Sequence, residues 1–201
     1  MSLKKSNFSC YQPGCLGEYR FRNLTMKRMR YLQKFVIYFL ILILSHLAAW
    51  GQSETNRTLS FYNTHTHERL TVTYKKGDTY NPEALRKISS ILRDHRTGDI
   101  HPIDPKLMDF LYDLLTEVDN HGEVHIISGY RSPKTNQKLR GRSKAVAAGS
   151  LHMQGKALDF RLPGTDTAVL RNTARAMKRG GVGYYRKLDF VQIDTGRVRY
   201  W

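Results

Sequence analysis

The sequence predicts an α+β domain: a small antiparallel sheet with helices packed against it. Three observations predict it. Strand and helix patterns come in clusters, without the regular strand–helix alternation of a doubly wound sheet. Two alternating segments open the domain, two short strands close it, and helical spacing lies between them. The 201-residue chain is long enough for one ordinary domain plus a targeting segment.

Thr58 to Asn63 and Arg69 to Tyr74 alternate apolar and polar residues around Thr64-His65-Thr66-His67-Glu68, as a hairpin with a longer loop does. His65 and His67 sit one apart and could bind a surface metal, though a solvated loop is the simpler reading. Gly77-Asp78 breaks the second strand. Asn81-Pro82 supplies an N-cap and a proline at the first helical position. Leu85, Ile88, Ile91 and Leu92 then predict a helix to about Arg93. Gly98 to Asp104 reads as a loop. Asp104-Pro105 starts a second helix, with Leu107, Phe110, Leu111, Leu114, Leu115 and Val118 on one face, and Asn120-His121-Gly122 ends it. Val124 to Ser128 is an apolar strand that feeds Gly129-Tyr130-Arg131. Thr135 to Arg142 reads as a short basic helix. Lys134, Lys138, Arg140, Arg142 and Lys144 make this the most basic segment, either a solvated face or a rim for an anionic substrate. Lys156 to Leu162 is a strand. Asp166 begins a helix to about Arg179, with Val169, Leu170, Thr173, Ala176 and Met177 inward, and Gly180-Gly181 stops it. Val182 to Tyr185 and Phe190 to Asp194 are two short strands, and Arg197 to Trp201 ends the chain.

Residues 1–25 are polar and irregular. Basic residues then run from Lys27 to Lys34, and Phe35 to Leu44 is an unbroken apolar stretch. Ala49 and Gly51 stand at −3 and −1 of a cut after Gly51, which is the layout of a secretory signal. Residues 26–51 are therefore expected to be a signal peptide or, uncleaved, a membrane anchor. The run is shorter than the ~20 apolar residues of a spanning helix. Translation is expected to begin at Met26 or Met29, which makes 1–25 a mis-assigned extension. Residues 52–57 link this leader to the domain at 58–201. Export to the periplasm or cell envelope follows.

Lys plus Arg number 33 against 17 Asp plus Glu, a formal charge of +16. After residue 51, 25 basic and 16 acidic side chains still leave +9, so the excess belongs to the domain as well. A basic domain suggests a polyanionic partner: nucleic acid, anionic lipid or an acidic wall polymer. No basic run interleaves with aromatics, so nucleic acid is not the expected partner. Cys10 and Cys15 both precede the apolar stretch. The domain therefore has neither a disulfide nor a thiolate metal ligand.

Ser150-Leu151-His152-Met153-Gln154-Gly155-Lys156-Ala157-Leu158-Asp159 places a histidine and a carboxylate seven residues apart around a glycine. Imidazole nitrogen and carboxylate oxygen both suit Zn2+. Asp159 lies inside a strand and His152 on the loop before it, so a turn at Gly155 can bring both to one metal. On spacing alone, two unrelated polar residues is the simpler reading. The wider pattern changes that. Ser-x-His-x-x-Gly-x-Ala-x-Asp is preceded by Ser128-Gly129-Tyr130-Arg131-Ser132. It is followed by Gly180-Gly181-Val182-Gly183-Tyr184-Tyr185 and by Asp194-Thr195-Gly196. Together these resemble the zinc peptidases of bacterial cell walls, the D-Ala-D-Ala carboxypeptidases and murein endopeptidases, and most of all the murein endopeptidase K type. The resemblance covers roughly residues 57–201.

The resemblance implies roles. His152 and Asp159 are two Zn2+ ligands, and the sheet carries the metal site. Arg131 steadies the developing oxyanion or holds a substrate carboxylate, for which its planar fork is suited. Tyr130 and Ser150 join it in substrate binding. The third family ligand is a histidine in Phe-x-His-x-Asp-Thr-Gly. Here the stretch is Phe190-Val191-Gln192-Ile193-Asp194-Thr195-Gly196, and Gln192 takes that place. An amide oxygen is a neutral, hard donor, better suited to Ca2+ than to Zn2+. Three consequences stay open. The chain binds wall peptide without cutting it; or it holds zinc more weakly through His152, Asp159 and Gln192 and still turns over; or His125, on the strand feeding the Arg131 loop, supplies the missing nitrogen. Asp189 and Asp194 are both available as the general base.

The expected function is an exported zinc metallopeptidase that hydrolyses amide bonds in peptidoglycan crosslinks. Its partners are peptidoglycan stem peptides, with no nucleic acid and with membrane contact only through an uncleaved leader. A monomer is expected. The alternative is a catalytically impaired peptidoglycan-binding module of the same fold.

Overall fold

The computed structural model describes residues 32–39, 55–143 and 146–201. The chain divides into two units, Met1–Ser53 and Glu54–Trp201. In the first, residues 32–39 form a helix, α1. The expected extension at 1–25, the cut after Gly51 and Lys144 of the basic segment lie outside the described residues. Among the described residues no helix is long and apolar enough to cross a membrane.

The second unit begins with β1 (Asn56–Asn63), β2 (Arg69–Lys76), β3 (Thr79–Tyr80), α2 (Pro82–Ile91) and α3 (Pro105–Glu117). It continues with β4 (Val124–Ser128), α4 (Pro133–Arg140), β5 (Ala157–Arg161) and α5 (Thr167–Met177). It ends with β6 (Gly181–Tyr185), β7 (Phe190–Asp194) and β8 (Arg199–Tyr200). The strands form one eight-stranded sheet in the order β3-β2-β1-β4-β5-β7-β6-β8. The α+β class holds, but the sheet is larger than expected and mixed. β1 runs parallel to β4, and β6 parallel to β8, while the other neighbours are antiparallel. The long connection through α2 and α3 is what permits a parallel β1–β4 pair. β3 and β8 are two residues each, too short to show an alternation.

Three helices open the same way. Asn81, Asp104 and Ser132 are N-caps, and each is followed by a proline. Asn81 Oδ1 accepts from the N–H of Glu83 and Ala84, Asp104 from Lys106 and Ser132 Oγ from Thr135. Each cap stabilises its helix by about 1 kcal/mol. Ser132-Pro133 starts α4 two residues before the expected Thr135. In α5 the buried face is Thr167, Leu170 and Ala174. Leu170 is buried and Met177 packs against the core as expected, whereas Val169 is 48% exposed and Ala176 is exposed. Small and polar Thr167 and Ala174 face the core because the helix lies close against β6 and β7.

The alternation of β5 and β7 sorts their side chains. Leu158, Phe160, Val191 and Ile193 join the core, with Leu107, Leu111 and Leu114 of α3 and Leu170 of α5. Each such side chain contributes roughly 2 kcal/mol by burial. Asp159, Gln192 and Asp194 alternate with them and point to the opposite face.

Candidate metal and active site

Asp159 of β5 and Gln192 of β7 are direct cross-strand partners. His152 sits on a 3-10 turn, Leu151–Gln154, that leads into β5. Gly155 turns the chain there with φ +64°, and a Cβ at this position would stand 2.3 Å from the Pro102 carbonyl oxygen. The turn is tied to the loop after β4. Arg131 N–H donates to His152 O at 3.2 Å, and His152 Nδ1 lies 2.8 Å from Gly129 O. Gly129 itself lies against α2's end, where a Cβ would approach Leu92 O to 2.5 Å.

A carbonyl oxygen only accepts, so His152 donates from Nδ1, and in the neutral ring Nε2 then offers its lone pair to the cavity. That nitrogen lies 3.4 Å from Asp159 Oδ1 and 3.4 Å from Gln192 Oε1. Gln192 is oriented by its other end, where Nε2 donates to Asp194 Oδ2 at 3.4 Å. Asp159 is 7% exposed, and its Oδ1 has no hydrogen-bond partner. Three lone-pair atoms thus converge with no donor between them, an arrangement that is unfavourable unless a cation joins it. Imidazole nitrogen and carboxylate oxygen fit zinc; the amide oxygen is the weaker third donor. Among the described residues no three His, Cys, Asp or Glu side chains meet at a metal site, since Gln192 fills the third place here.

Arg131 is held beside this centre, with Nη2 3.9 Å from Asp159 Oδ2 and Nη1 donating to Asn136 Oδ1 at 3.5 Å. Its Nε has no partner. Burial pushes its pKa below the ordinary value, with the Asp159 charge opposing, and a guanidinium remains cationic. Asn136 also donates to Ala147 O at 3.1 Å, which couples α4 to the cavity wall. Behind the loop, Asp94 accepts from Ser132 N–H at 2.9 Å and Ser132 Oγ at 2.8 Å. The cavity measures about 470 Å³. It is lined by Ser143, Val146, Ser150, Tyr185, Phe190, Arg199 and Trp201, together with Arg131, His152, Asp159 and Gln192.

The structure thus brings together His152, Asp159, Gln192, Arg131 and Ser150. Four other candidates do not line the cavity. His125 stacks edge-on against Tyr62 at 5.0 Å and approaches Glu123 at 3.7 Å, and it does not line the cavity. It faces Arg161 across the β4–β5 ladder rather than Asp159, which Ser128 faces. Tyr130 stacks on His101 at 4.9 Å, outside the cavity lining. Asp189 accepts from Thr167 Oγ1 at 3.0 Å and pairs with Arg161 at 3.7 Å in a separate cleft. Asp194 is fully buried, and its two oxygens accept from Gly181, Gly196, Arg199 and Gln192. The loop histidines do not share a ligand position: His67 meets Tyr62 OH at 2.7 Å and His65 stacks on His95 at 3.7 Å. Sequence reasoning missed Asp94, Asn136, Arg199 and Trp201. A buried asparagine inside a basic helix, and an Arg and a Trp after the Asp-Thr-Gly turn, were the available signals.

Residues 51–201 match the peptidase M15_2 family, described as peptidoglycan L,D-endopeptidase MepK. The peptidoglycan L,D-endopeptidase MepK of Escherichia coli strain K12 is 43% identical over 145 residues, covering 72% of this chain and 80% of that protein. The probable peptidoglycan L,D-endopeptidase MepK of Haemophilus influenzae is 38% identical over 146 residues, covering 72% of this chain and 78% of that protein. No solved structure matches.

Proposed function

The chain belongs to the peptidoglycan L,D-endopeptidase MepK family, and on that premise we propose that it is an exported zinc metallopeptidase that hydrolyses amide bonds in peptidoglycan crosslinks. One observation carries the reading: His152 Nε2, Asp159 Oδ1 and Gln192 Oε1 converge with no donor between them. These three residues would hold Zn2+, which when bound supplies a Lewis acid and a water of pKa near ~7. The chain's own residues do the rest. Gly129 O fixes the His152 tautomer that offers Nε2. Asp194 keeps the Gln192 oxygen turned inward. Arg131 presents guanidinium donors from a buried position, where they bind a substrate carboxylate or the oxygen on which charge develops. Tyr185, Phe190 and Trp201 offer an apolar wall to the aliphatic part of a stem peptide.

The leader delivers the domain to the periplasm or cell envelope, where it works as a monomer on stem peptides. Nucleic acid has no part in this, and membrane contact is confined to an uncleaved leader. A second reading is a catalytically impaired peptidoglycan-binding module. Two observations favour it: Gln192 stands at the third ligand position, and among the described residues Asp159 is the sole carboxylate lining the cavity.

The deciding experiment incubates the purified protein with sacculi and measures its zinc content per chain. Soluble crosslink fragments with new amino and carboxyl ends, together with near-stoichiometric zinc, support the peptidase. Retention on sacculi without release supports the binding module. Neither release nor retention overturns both.

A further inference from the structure

Charge is divided unevenly along the domain. Residues 52–123 carry 9 basic and 12 acidic side chains, a net −3, whereas residues 124–201 carry 16 and 4, a net +12. The basic excess therefore lies wholly in the half that builds the site. Of its four carboxylates, Asp159 and Asp194 are buried, so only Asp166 and Asp189 reach the surface. The ion pairs formed by Lys and Arg of this half, among the described residues, involve Arg131, Arg161, Arg179 and Arg199. Lys134, Lys138, Arg140 and Arg142 are all exposed and take part in none of them.

Helix stability accounts for only part of these cations: Lys138 and Arg140 lie in the last turn of α4, where the dipole favours them. Lys134 lies in the first turn of α4, which has no acidic residue, although the helix dipole favours anions there. Lys138 follows it one turn later, a like-charge spacing that disfavours the helix. The placement is more informative. Arg131 just before α4 and Ser143 just after it both line the cavity. Asn136, on the buried face of the same helix, bonds Arg131 and the Ala147 carbonyl. One face of α4 thus supports the centre while the other presents unpaired positive charge at its edge.

We propose that the exposed face of α4, with Arg142 beyond it, is a docking surface for the free carboxylates of the wall polymer. The identity of that polymer rests on the peptidase reading above. A polymer whose crosslink enters the cavity must pass across this rim, and its stem carboxylates meet Lys134, Lys138, Arg140 and Arg142 there. An anionic bilayer on the same surface would cover the cavity, whereas the wall polymer must reach it, so the wall is the occupant.

The test uses the full chain with Lys134→Gln, Lys138→Gln, Arg140→Gln and Arg142→Gln combined. Binding to pelleted sacculi is measured with chelator present, so that nothing is cut, at about 50 and about 300 mM salt. Wild type is expected to bind less at the higher salt, and to lose binding to sacculi whose carboxylates have been amidated. The variant is expected to bind about tenfold more weakly, with little salt dependence. Its ratio of sacculus hydrolysis to soluble crosslinked-peptide hydrolysis should fall by a similar factor. A Lys→Arg and Arg→Lys exchange at the four positions should restore binding. Melting temperatures are taken alongside, and the pair Lys134→Gln and Arg142→Gln replaces the quadruple variant if that one is unstable. Equal binding by variant and wild type overturns the proposal. So does binding by wild type that ignores salt, or wild type that pellets with vesicles of anionic phospholipid and not with sacculi. Absence of hydrolysis in every sample would overturn the peptidase reading alone, because the pelleting result stands without it.

Discussion

Asp159 and Asp194 are buried carboxylates on neighbouring strands of one sheet, both on the face away from α3 and α5, yet their surroundings are opposite. Asp194 accepts from two backbone N–H groups, Gly181 at 3.1 Å and Gly196 at 3.0 Å, and from Arg199 through two nitrogens at 3.0 and 2.8 Å. Asp159 has Arg131 at 3.9 Å and the His152 ring at 3.4 Å, and its Oδ1 has no donor at all. Burial costs both groups their hydration. The fold compensates Asp194 completely and leaves Asp159 in deficit, and that deficit is what a bound cation would relieve. A buried carboxylate supports the structure when its valences are filled and is free for chemistry when they are not.

The sharpest way to break this comparison is Asp159→Asn. The amide keeps the shape and removes the charge. Hydrolysis of crosslinked peptide is expected to fall by about a thousandfold or more. The melting temperature should stay level or rise, because an uncompensated buried charge is gone. A variant that unfolds instead would mean that Asp159 belongs with Asp194 as a structural group.

The mirror experiment is Asp194→Asn. It takes the acceptor charge away from Arg199 and from the two glycine N–H groups, and is expected to destabilise the fold by about 3 kcal/mol in denaturant titration. Stability within error of wild type would show that the bonds to Asp194 are replaceable. Between the two carboxylates stands Gln192. Gln192→His supplies an imidazole nitrogen where an amide oxygen now stands, and zinc should bind at least about tenfold more tightly in competition with a chromogenic chelator. Unchanged affinity would remove Gln192 from the ligand set.

Much of this was legible in the sequence where a local rule governs. Asn81-Pro82 and Asp104-Pro105 announce helix starts because the cap and the fixed proline φ act within four residues. His152 and Asp159 meet as expected because Gly155 makes the only turn required. What was not legible depends on distant packing. The parallel β1–β4 pair depends on the long connection through α2 and α3, which no alternation records. His125 was a reasonable rescue for the missing ligand until the register put it opposite Arg161 rather than near Gln192. Asp94 gave no sign that it would hold Ser132 from 38 residues away. The tail from Arg199 to Trp201 reads as a mere chain end. In the fold it becomes a wall of the cavity, with the indole packed over Gly183 and its Nε1 donating to Tyr185 OH at 3.1 Å.

Asp94 extends the comparison to pH, with the smallest expected effect. It is 1% exposed and, like Asp194, has its valences filled. Burial opposes its ionisation, but hydrogen bonds from Thr135, from Ser132 and from the Arg96 N–H outweigh that and hold its pKa well below the ordinary 3.8. A carboxyl whose pKa is lower in the folded state stabilises the fold fully above its unfolded pKa, and the contribution is lost as pH falls towards the folded value. Stability measured in denaturant at steps from about pH 6 to about pH 2.5 should therefore decline below about pH 4. Asp109 and Glu68 are lowered too, so the decline is shared. Asp94→Asn should be less stable than wild type at neutral pH and should converge towards it in acid, because only wild type then has this carboxylate's stabilisation left to lose. Parallel curves for the two proteins would show that Asp94 does not anchor the Arg131 loop through its charge. Ser132 would then be held by the cap geometry of α4 alone.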